Sequence, residues 1–333
     1  MAGEEEIVEK KMEFQTLFRG ERILLSDIDS LQASAPDLIV YAAPFMFLFV
    51  LIEYFVSRFQ SHNIYERKET IGSALVGIGN VVIGLFLKAI LFYLFIVVYN
   101  WLPWRMELKW WTLLPCYIIF DFCSYWAHRI SHHVRFLWGT HVTHHSADHY
   151  NLSVSFRLSW MQYVKIVFFL PVALLGFHPI IIFVTNQVAI LYQFWQHTEY
   201  IKKLHPIIEY VFATPSSHRV HHGSQEKYIN KNFGATFMIW DRMFGTYQPE
   251  EETVVYGITH ELERKLDPIQ INFHEYIAII GDVRRAKSFR EALFYIFGDP
   301  VDIAAMKQKG AMLSREGTQE SVKSGRLRVS SPG

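Results

Sequence analysis

Ten of the sixteen histidines fall in two short stretches, residues 128–149 and 218–222. The first reads HRISHH and then HVTHH, which sets His128 and His132 at i and i+4, followed by His141, His144 and His145. The second, HRVHH, repeats the pattern with His218, His221 and His222. Neutral imidazole is the commonest side-chain ligand of the borderline metals, and a helix carries i and i+4 on one face, so each pair can converge on one ion. A lone histidine on an apolar segment is ordinarily a packed core or interface residue, and His62, His149, His178, His205, His260 and His274 are read that way. Eight rings in three spaced groups beside long apolar runs would be costly without a compensating partner. Metal binding supplies one.

Eight imidazoles exceed what a single ion needs, so two metals are expected. Ligand type suits iron, copper or zinc, and spacing alone does not choose among them. HExxH is absent, and no carboxylate sits inside a histidine group to act as the general base of a zinc hydrolase. Metal storage would need no such recurrent spacing. A redox pair at the end of apolar helices is placed to activate oxygen beside a lipid chain, whose unreactive C–H bonds leave the hard step to the metal.

The elements that must position these rings are apolar. Hydrophobic residues make up 51% of the chain, aromatics 16% and charged residues only 19%, and the mean hydropathy is positive. A zero formal net charge and the lack of basic tracts interleaved with aromatics argue against nucleic acid as a partner. Five segments are long and apolar enough to be read as bilayer crossings: 37–57, 78–100, 110–127, 160–177 and 180–198. The first contains one acid, Glu53, and the last two flank the breaker cluster Gly176-Phe177-His178-Pro179, so that pair could instead form a shallow hairpin.

Counting crossings brings the connection near 58–74, the segment after His128 and the segment after Tyr200 to one side, where the histidine groups can meet. Arg58, Arg67, Lys68, Arg129, Arg135, Arg157, Lys202, Lys203 and Arg219 lie there, against Arg105 and Lys109 opposite, which makes that side cytosolic. The host membrane would be the endoplasmic reticulum in a eukaryote and the inner membrane in a bacterium. The acidic N-terminus carries no cleavable signal pattern. Cys116 and Cys123 lie seven residues apart in one apolar run, about 10 Å along a helix, and are expected to be reduced packing residues.

The expected fold is therefore an all-α integral membrane protein, a multi-span helical bundle with a cytosolic histidine-rich di-metal cap. Residues 1–36 form an N-terminal segment, 37–275 one membrane-embedded catalytic domain, with 205–275 as a cap on the membrane surface, and 276–333 a C-terminal segment that is a disordered tail from about Met306.

The strings themselves carry a resemblance. HRISHH, THVTHHSADHYNLSVSFRLS, LYQFWQHTEYI, TPSSHRVHHG, KNFGATFMIWDRMFGTYQPE and VVYGITH resemble the membrane fatty acid hydroxylase and sterol desaturase superfamily, and within it the alkylglycerol monooxygenase subfamily. That resemblance covers roughly 37–260. It implies HxxxH, HxxHH and HxxHH boxes ligating a di-iron centre, with His128 and His132 in the first, His141, His144 and His145 in the second, His218, His221 and His222 in the third, and His197 as a ninth ligand. It also implies an O2-dependent monooxygenase of alkylglycerols or another long-chain lipid, hydroxylating the ether-linked carbon to a hemiacetal that falls apart to an aldehyde and a glycerol derivative, with tetrahydrobiopterin as reductant.

Two departures stand out. His133 occupies the position after the first box where the pterin-dependent members carry glutamate, and the chain closes with a polar tail where they continue with hydrophobic segments. The alternative within the superfamily is a fatty-acid or sterol hydroxylase or desaturase fed by an electron-donor protein, cytochrome b5 or a ferredoxin.

Asp121 lies seven residues before His128, on about the same helical face, where it could orient a ligand imidazole. Asp148, Tyr150 and Asn151 follow the second box and could line the substrate mouth or form a turn. Trp126, Trp138, Trp160, Trp195 and Trp240 suit an interfacial aromatic belt.

Overall fold

The computed structural model describes residues 18–258, 262 and 264–309. Among these residues helices and turns make the fold; the only strand-like pairings are two isolated bridges, Arg19 with Arg105 and Phe212 with Phe237. Two helices carry most of the apolar length. α1 runs Leu38–Phe59 and starts where the Asp37 side chain accepts from Val40 N. α2 runs Arg67–Trp101 and starts where Glu66 accepts from Glu69 N at 2.7 Å. Only 11% and 22% of their most apolar windows are buried inside the protein, so their apolar faces look outward and need an apolar surrounding. A core helix of a water-soluble protein would show the opposite.

α3, Leu113–His133, is the positioning helix. One face, Cys116, Phe120 and Cys123, packs with Val172, Ala173, Ile181 and Ala189 into the main apolar core. The neighbouring face is polar and runs Asp121, Tyr125, His128, His132, spaced by three or four residues and so stacked along one side. Both cysteines are free and buried, as their packing role requires.

One turn of helix, α4 (Val142–His145), carries most of the second box. The expected crossing over 160–177 is not one continuous α-helix. It is a 3₁₀ helix, Gln162–Phe169, followed by a short α-helix, Leu170–Leu174. At about 2.0 Å per 3₁₀ residue and 1.5 Å per α residue these cover about 24 Å. The hairpin is nevertheless deep: Met106 N, past the end of α2, donates to Gly176 O at 2.8 Å, and the Trp104 indole donates to Leu174 O at 3.0 Å. Gly176 has φ +87°, and a Cβ there would meet Trp104 O at 2.6 Å, so the reversal requires glycine. α5, Pro179–Phe194, returns toward the histidines with proline in its first turn and the His178 ring accepting from Ile180 N.

α6, Pro215–His221, carries the third box behind a capping box in which Thr214 and Ser217 exchange hydrogen bonds. α7, Pro268–Arg285, is capped by Asp267 and crosses residue 275, so the expected domain boundary there falls inside a helix. α8, Phe289–Phe297, folds back on α7. Residues 300–309 are helical, so the chain is still ordered across Met306, where a tail was expected to begin; Lys307 pairs with Asp282. Residues from 310 lie outside the described residues.

The cation count used for sidedness also changes meaning. Arg135, Arg157 and Arg219 are buried and hydrogen-bonded, hence structural, and are not free loop charges. The aromatic belt is displaced as well. Trp138 packs against histidine rings, the Trp160 indole donates to Val76 O, and the Trp240 indole donates to Asp121. The exposed indoles are Trp101, Trp104, Trp110 and Trp111, at the opposite end of α2 and the start of α3.

Candidate metal centre

Nine histidines from α3, α4, α6 and the end of α5 gather into two groups. His128, His132, His141, His145 and His221 form one; His144, His197, His218 and His222 form the other; within each, the candidate ligand nitrogens lie within 4.8 Å of one another. Each HxxHH motif is divided between the two. On a helix, residues i and i+4 are about 40° apart while i+3 and i+4 diverge by about 100°. Hence His141 and His145 share the five-ring group and His144 points to the other, whereas His218 and His222 share the four-ring group and His221 crosses to the first. On this geometry adjacent histidines point apart, so the doubled HH is what divides the rings between two groups.

In the four-ring group the Nε2 atoms close a circuit: His197 to His144 at 3.1 Å, His144 to His222 at 3.1 Å, His222 to His218 at 3.3 Å and His218 to His197 at 3.0 Å. Nitrogens held about 2.1 Å from one ion stand about 3.0 Å apart at right angles and about 3.4 Å apart at tetrahedral angles, so these edges match a shared cation. In the five-ring group His141 Nε2 lies 2.7 Å from His128 Nε2 and 3.2 Å from His145 Nε2.

Tautomers follow from the opposite nitrogens. His128 Nδ1 donates to Phe233 O at 2.8 Å, His197 Nδ1 to Gln193 O at 2.9 Å and His221 Nδ1 to Lys231 O at 2.9 Å. A carbonyl only accepts, so each of these neutral rings turns an Nε2 lone pair into the site. The buried His132 Nε2 and His221 Nε2 have no hydrogen-bond partner within the protein. Inward lone pairs and orphaned buried nitrogens fit a metal ion in each group. Burial first, then the neighbouring rings, holds His141, His144, His145, His218 and His222 well below the usual imidazole range; burial brings His221 down to about 4. Neutral rings are the ligating form.

Asp121 does not touch an imidazole as expected. Its carboxylate accepts from Thr236 N at 2.9 Å, Phe237 N at 3.1 Å and the Trp240 indole at 2.9 Å. It therefore clamps the segment whose Phe233 carbonyl orients His128. Asn151 is likewise a turn residue: its Oδ1 accepts from Ser153 N and Oγ, and its amide donates to Ile64 O at 2.6 Å. Asp148 pairs with Lys265. Tyr150 comes nearer, its ring 5.1 Å from His222 and 5.8 Å from His197, stacked on Tyr256 at 4.8 Å. His133 turns away to pair with Asp299 at 2.6 Å. His62 lies beside Tyr200, His149 pairs with Glu69, His178 and His205 cap helices, and His274 bonds its own helix; His260 lies outside the described residues.

Several anchoring residues carried no signal in the spacing. Asp241 accepts from Phe233 N, Gly234 N and Thr246, fixing the same carbonyl from behind; burial raises its carboxyl to about 6. Arg157 donates to Thr143 O, inside the second box, and to Ser146 Oγ, just after it. Arg219, between two ligands of the third box, forks onto Glu250 at 2.7 Å twice and donates to Thr198 O and Ile201 O. Glu53 accepts from Tyr65, Leu152 N and Thr198, the residue after His197. A buried acid in an apolar run was the one visible hint.

The fatty acid hydroxylase family model matches residues 113–246, which contain all nine rings. The chain is 36% identical to the human alkylglycerol monooxygenase over 271 residues, 80% of this chain and 60% of that protein. It is 40% identical to the alkylglycerol monooxygenase of Xenopus tropicalis over 208 residues, 61% of this chain and 46% of that protein. An ornithine lipid hydroxylase of Rhizobium tropici is more distant, at 29% over 44% of this chain and 45% of its own. The chain thus spans 60% or less of the length of these relatives. No solved structure matches it. The matched region begins at the first residue of α3 and ends at Thr246, whose hydroxyl bonds Asp241 and Tyr125, so it encloses the rings and the Asp121 and Asp241 clamps, while the anchors Glu53 and Glu250 lie outside it.

Proposed function

We propose that the chain is a membrane-embedded, O2-dependent lipid monooxygenase that hydroxylates the ether-linked carbon of an alkylglycerol, yielding a hemiacetal that parts into an aldehyde and a glycerol derivative. The division of nine neutral imidazoles into two groups carries this reading. Iron is the assigned metal, with His128, His132, His141, His145 and His221 holding one ion and His144, His197, His218 and His222 the other. A bound iron pair supplies the oxidising power for inserting one atom of O2 into an unactivated C–H bond. The protein's own part is positional. Phe233, Gln193 and Lys231 carbonyls hold three ring orientations, Asp121 and Asp241 hold the Phe233 segment, and the Tyr150–Tyr256 stack and Trp138 wall the rings from water.

α1, α2, α3 and the deep hairpin cross the bilayer in this reading, with the rings at the cytosolic end, and the exposed Trp101, Trp104, Trp110 and Trp111 lie at the far interface. Tetrahydrobiopterin is the proposed reductant. The test is anaerobic iron loading in nanodiscs, then a 1-O-alkylglycerol with ¹⁸O2 and tetrahydrobiopterin. The aldehyde oxygen derives from the inserted atom, so labelled aldehyde is expected, and its absence from iron-loaded protein overturns the substrate assignment. Turnover restored only by reduced cytochrome b5 or ferredoxin would transfer the reductant to a protein.

A further inference from the structure

α2 is longer than a bilayer core is thick. Its 35 residues reach about 52 Å at 1.5 Å each, against a hydrocarbon core of about 30 Å. Counted back from the exposed Trp101, about 30 Å takes up about twenty residues and ends near Val82, so the turns before Ile78, which expose Ile71 and Leu75 but open with Arg67 and Lys68, stand at the headgroups or beyond them. α7 packs on those turns. A Cβ on Gly72 would meet Lys265 O at 2.1 Å and Ile271 Cδ1 at 3.1 Å, and Ile271 is buried with Val76 and Leu262. That contact sets α7 at the level of the lipid headgroups.

The outer surface of this hairpin is apolar where water would favour charge. Ile269, Ile277 and Ile280 on α7 are exposed, and α8 exposes Phe289, Leu293 and Phe297, spaced i, i+4 and i+8 on one stripe, with Phe289 at 80%. Three exposed cations, Arg284, Lys287 and Arg290, surround the corner between the helices, and among the described residues none of the three is paired with a carboxylate. The nearby acids are engaged elsewhere: Asp282 with Arg135, Arg285 and Lys307, and Glu291 with Lys287 N and the Tyr295 hydroxyl.

We propose that the α7–α8 hairpin is an interfacial anchor that docks on an anionic lipid surface, with Phe289, Leu293 and Phe297 in the acyl–headgroup boundary and Arg284, Lys287 and Arg290 on lipid phosphates. Apolar stripe and unpaired basic corner together select this occupant over a second protein, which would have to neutralise three cations on a face that is otherwise hydrocarbon. The hairpin lies outside residues 113–246 and adds to the crossing helices a contact sensitive to headgroup charge.

Single cysteines test this, since both native thiols are buried. Bimane is placed at Phe289→Cys, at Leu85→Cys on the outward face of α2 and at Glu226→Cys in an exposed loop, in nanodiscs of phosphatidylcholine with or without about one-third phosphatidylglycerol. Lipids brominated high on the acyl chain are expected to quench the Phe289 label by about half, more with phosphatidylglycerol, and to leave the Glu226 label unchanged. The triple variant Arg284→Glu, Lys287→Glu, Arg290→Glu should abolish the dependence on phosphatidylglycerol. Quenching at Leu85 without quenching at Phe289 overturns the anchor and leaves the crossing of α2 standing; no quenching at Leu85 overturns the crossing itself. Protection of Phe289 from both lipid bromine and aqueous iodide would place protein on this face and also overturn the anchor.

Discussion

His197→Ala separates the two metal groups. His197 belongs to the four-ring group, in which its Nε2 lies 3.1 Å from that of His144 and 3.0 Å from that of His218. Four-ligand structural zinc sites bind with about 10–16 kcal/mol, so one ligand is worth about 2.5–4 kcal/mol, or about 10²–10³ in affinity. Removing His197 leaves three imidazoles and should empty that group during purification. Removing His132 leaves four in the five-ring group, a complete tetrahedral set, and should cost far less. Iron per chain, measured by mass spectrometry after anaerobic purification, is expected near two for the parent, near one for His197→Ala and near two for His132→Ala. His178→Ala, a buried ring outside both groups, serves as the folding control. Equal losses in His197→Ala and His132→Ala, or loss of both ions together in His197→Ala, would refute the reasoning that the groups are separate and unequal.

Arg219→Ala leaves Glu250 and two carbonyls without their donor at a buried site, and about 3–5 kcal/mol of destabilisation is expected in thermal melts; Arg219→Lys should recover only part, because an ammonium cannot reproduce the fork. Gly72→Ala drives a methyl group into the Lys265 carbonyl, and a cost of about 1–3 kcal/mol should appear as faster hydrogen exchange over 264–285 with iron content unchanged. The His149 imidazole is raised by its hydrogen bond to Glu69, so its stabilisation is full below the unfolded value near 6.5 and is lost as pH rises through the folded value. The melting-point gap between the parent and His149→Gln should accordingly be wider at acid than at alkaline pH, and a gap that widens with pH would contradict the sign.

Residue spacing made the metal chemistry legible because ligand convergence on a helix is a local property. His128 with His132, His141 with His145 and His218 with His222 are paired by the 3.6-residue period alone. Which histidine crosses to the second group was implicit in the doubled HH and needed only the 100° step between neighbours. The two outward-facing helices were equally readable from apolar length, although α2 begins eleven residues before the expected 78, because its first three turns are polar enough to hide from a hydropathy pattern. The 3₁₀ winding of Gln162–Phe169 was not readable, since an apolar run of that length fits an α-helix equally well. Asp121 was found for the right reason, an acid in an apolar helix, but its partners lie 115 to 119 residues away, where periodicity has no reach.

That long-range network is what makes the site physically possible. α4 is a single turn and α6 barely two, too short to hold their shape alone, yet they carry six of the nine rings, counting His141 and His222 at their ends. Neutral imidazoles with lone pairs aimed at one another would swing apart in a pliable scaffold. They are held by groups that never meet the centre: Arg157 gripping the second box at Thr143 and Ser146, Arg219 tying the third box to the loop after His197, Glu53 tying that loop to α1, and Asp121 and Asp241 gripping the segment whose Phe233 carbonyl turns His128 inward. Each is a buried charge that is stabilising only while its partners stay in place. The rigidity of the ring cluster is therefore set by hydrogen bonds from buried charged side chains to other segments. Damage to any one of them should loosen metal from the nearest group before it unfolds the apolar helices, because those helices are held by the separate core of Cys116, Phe120, Val172 and Ile181.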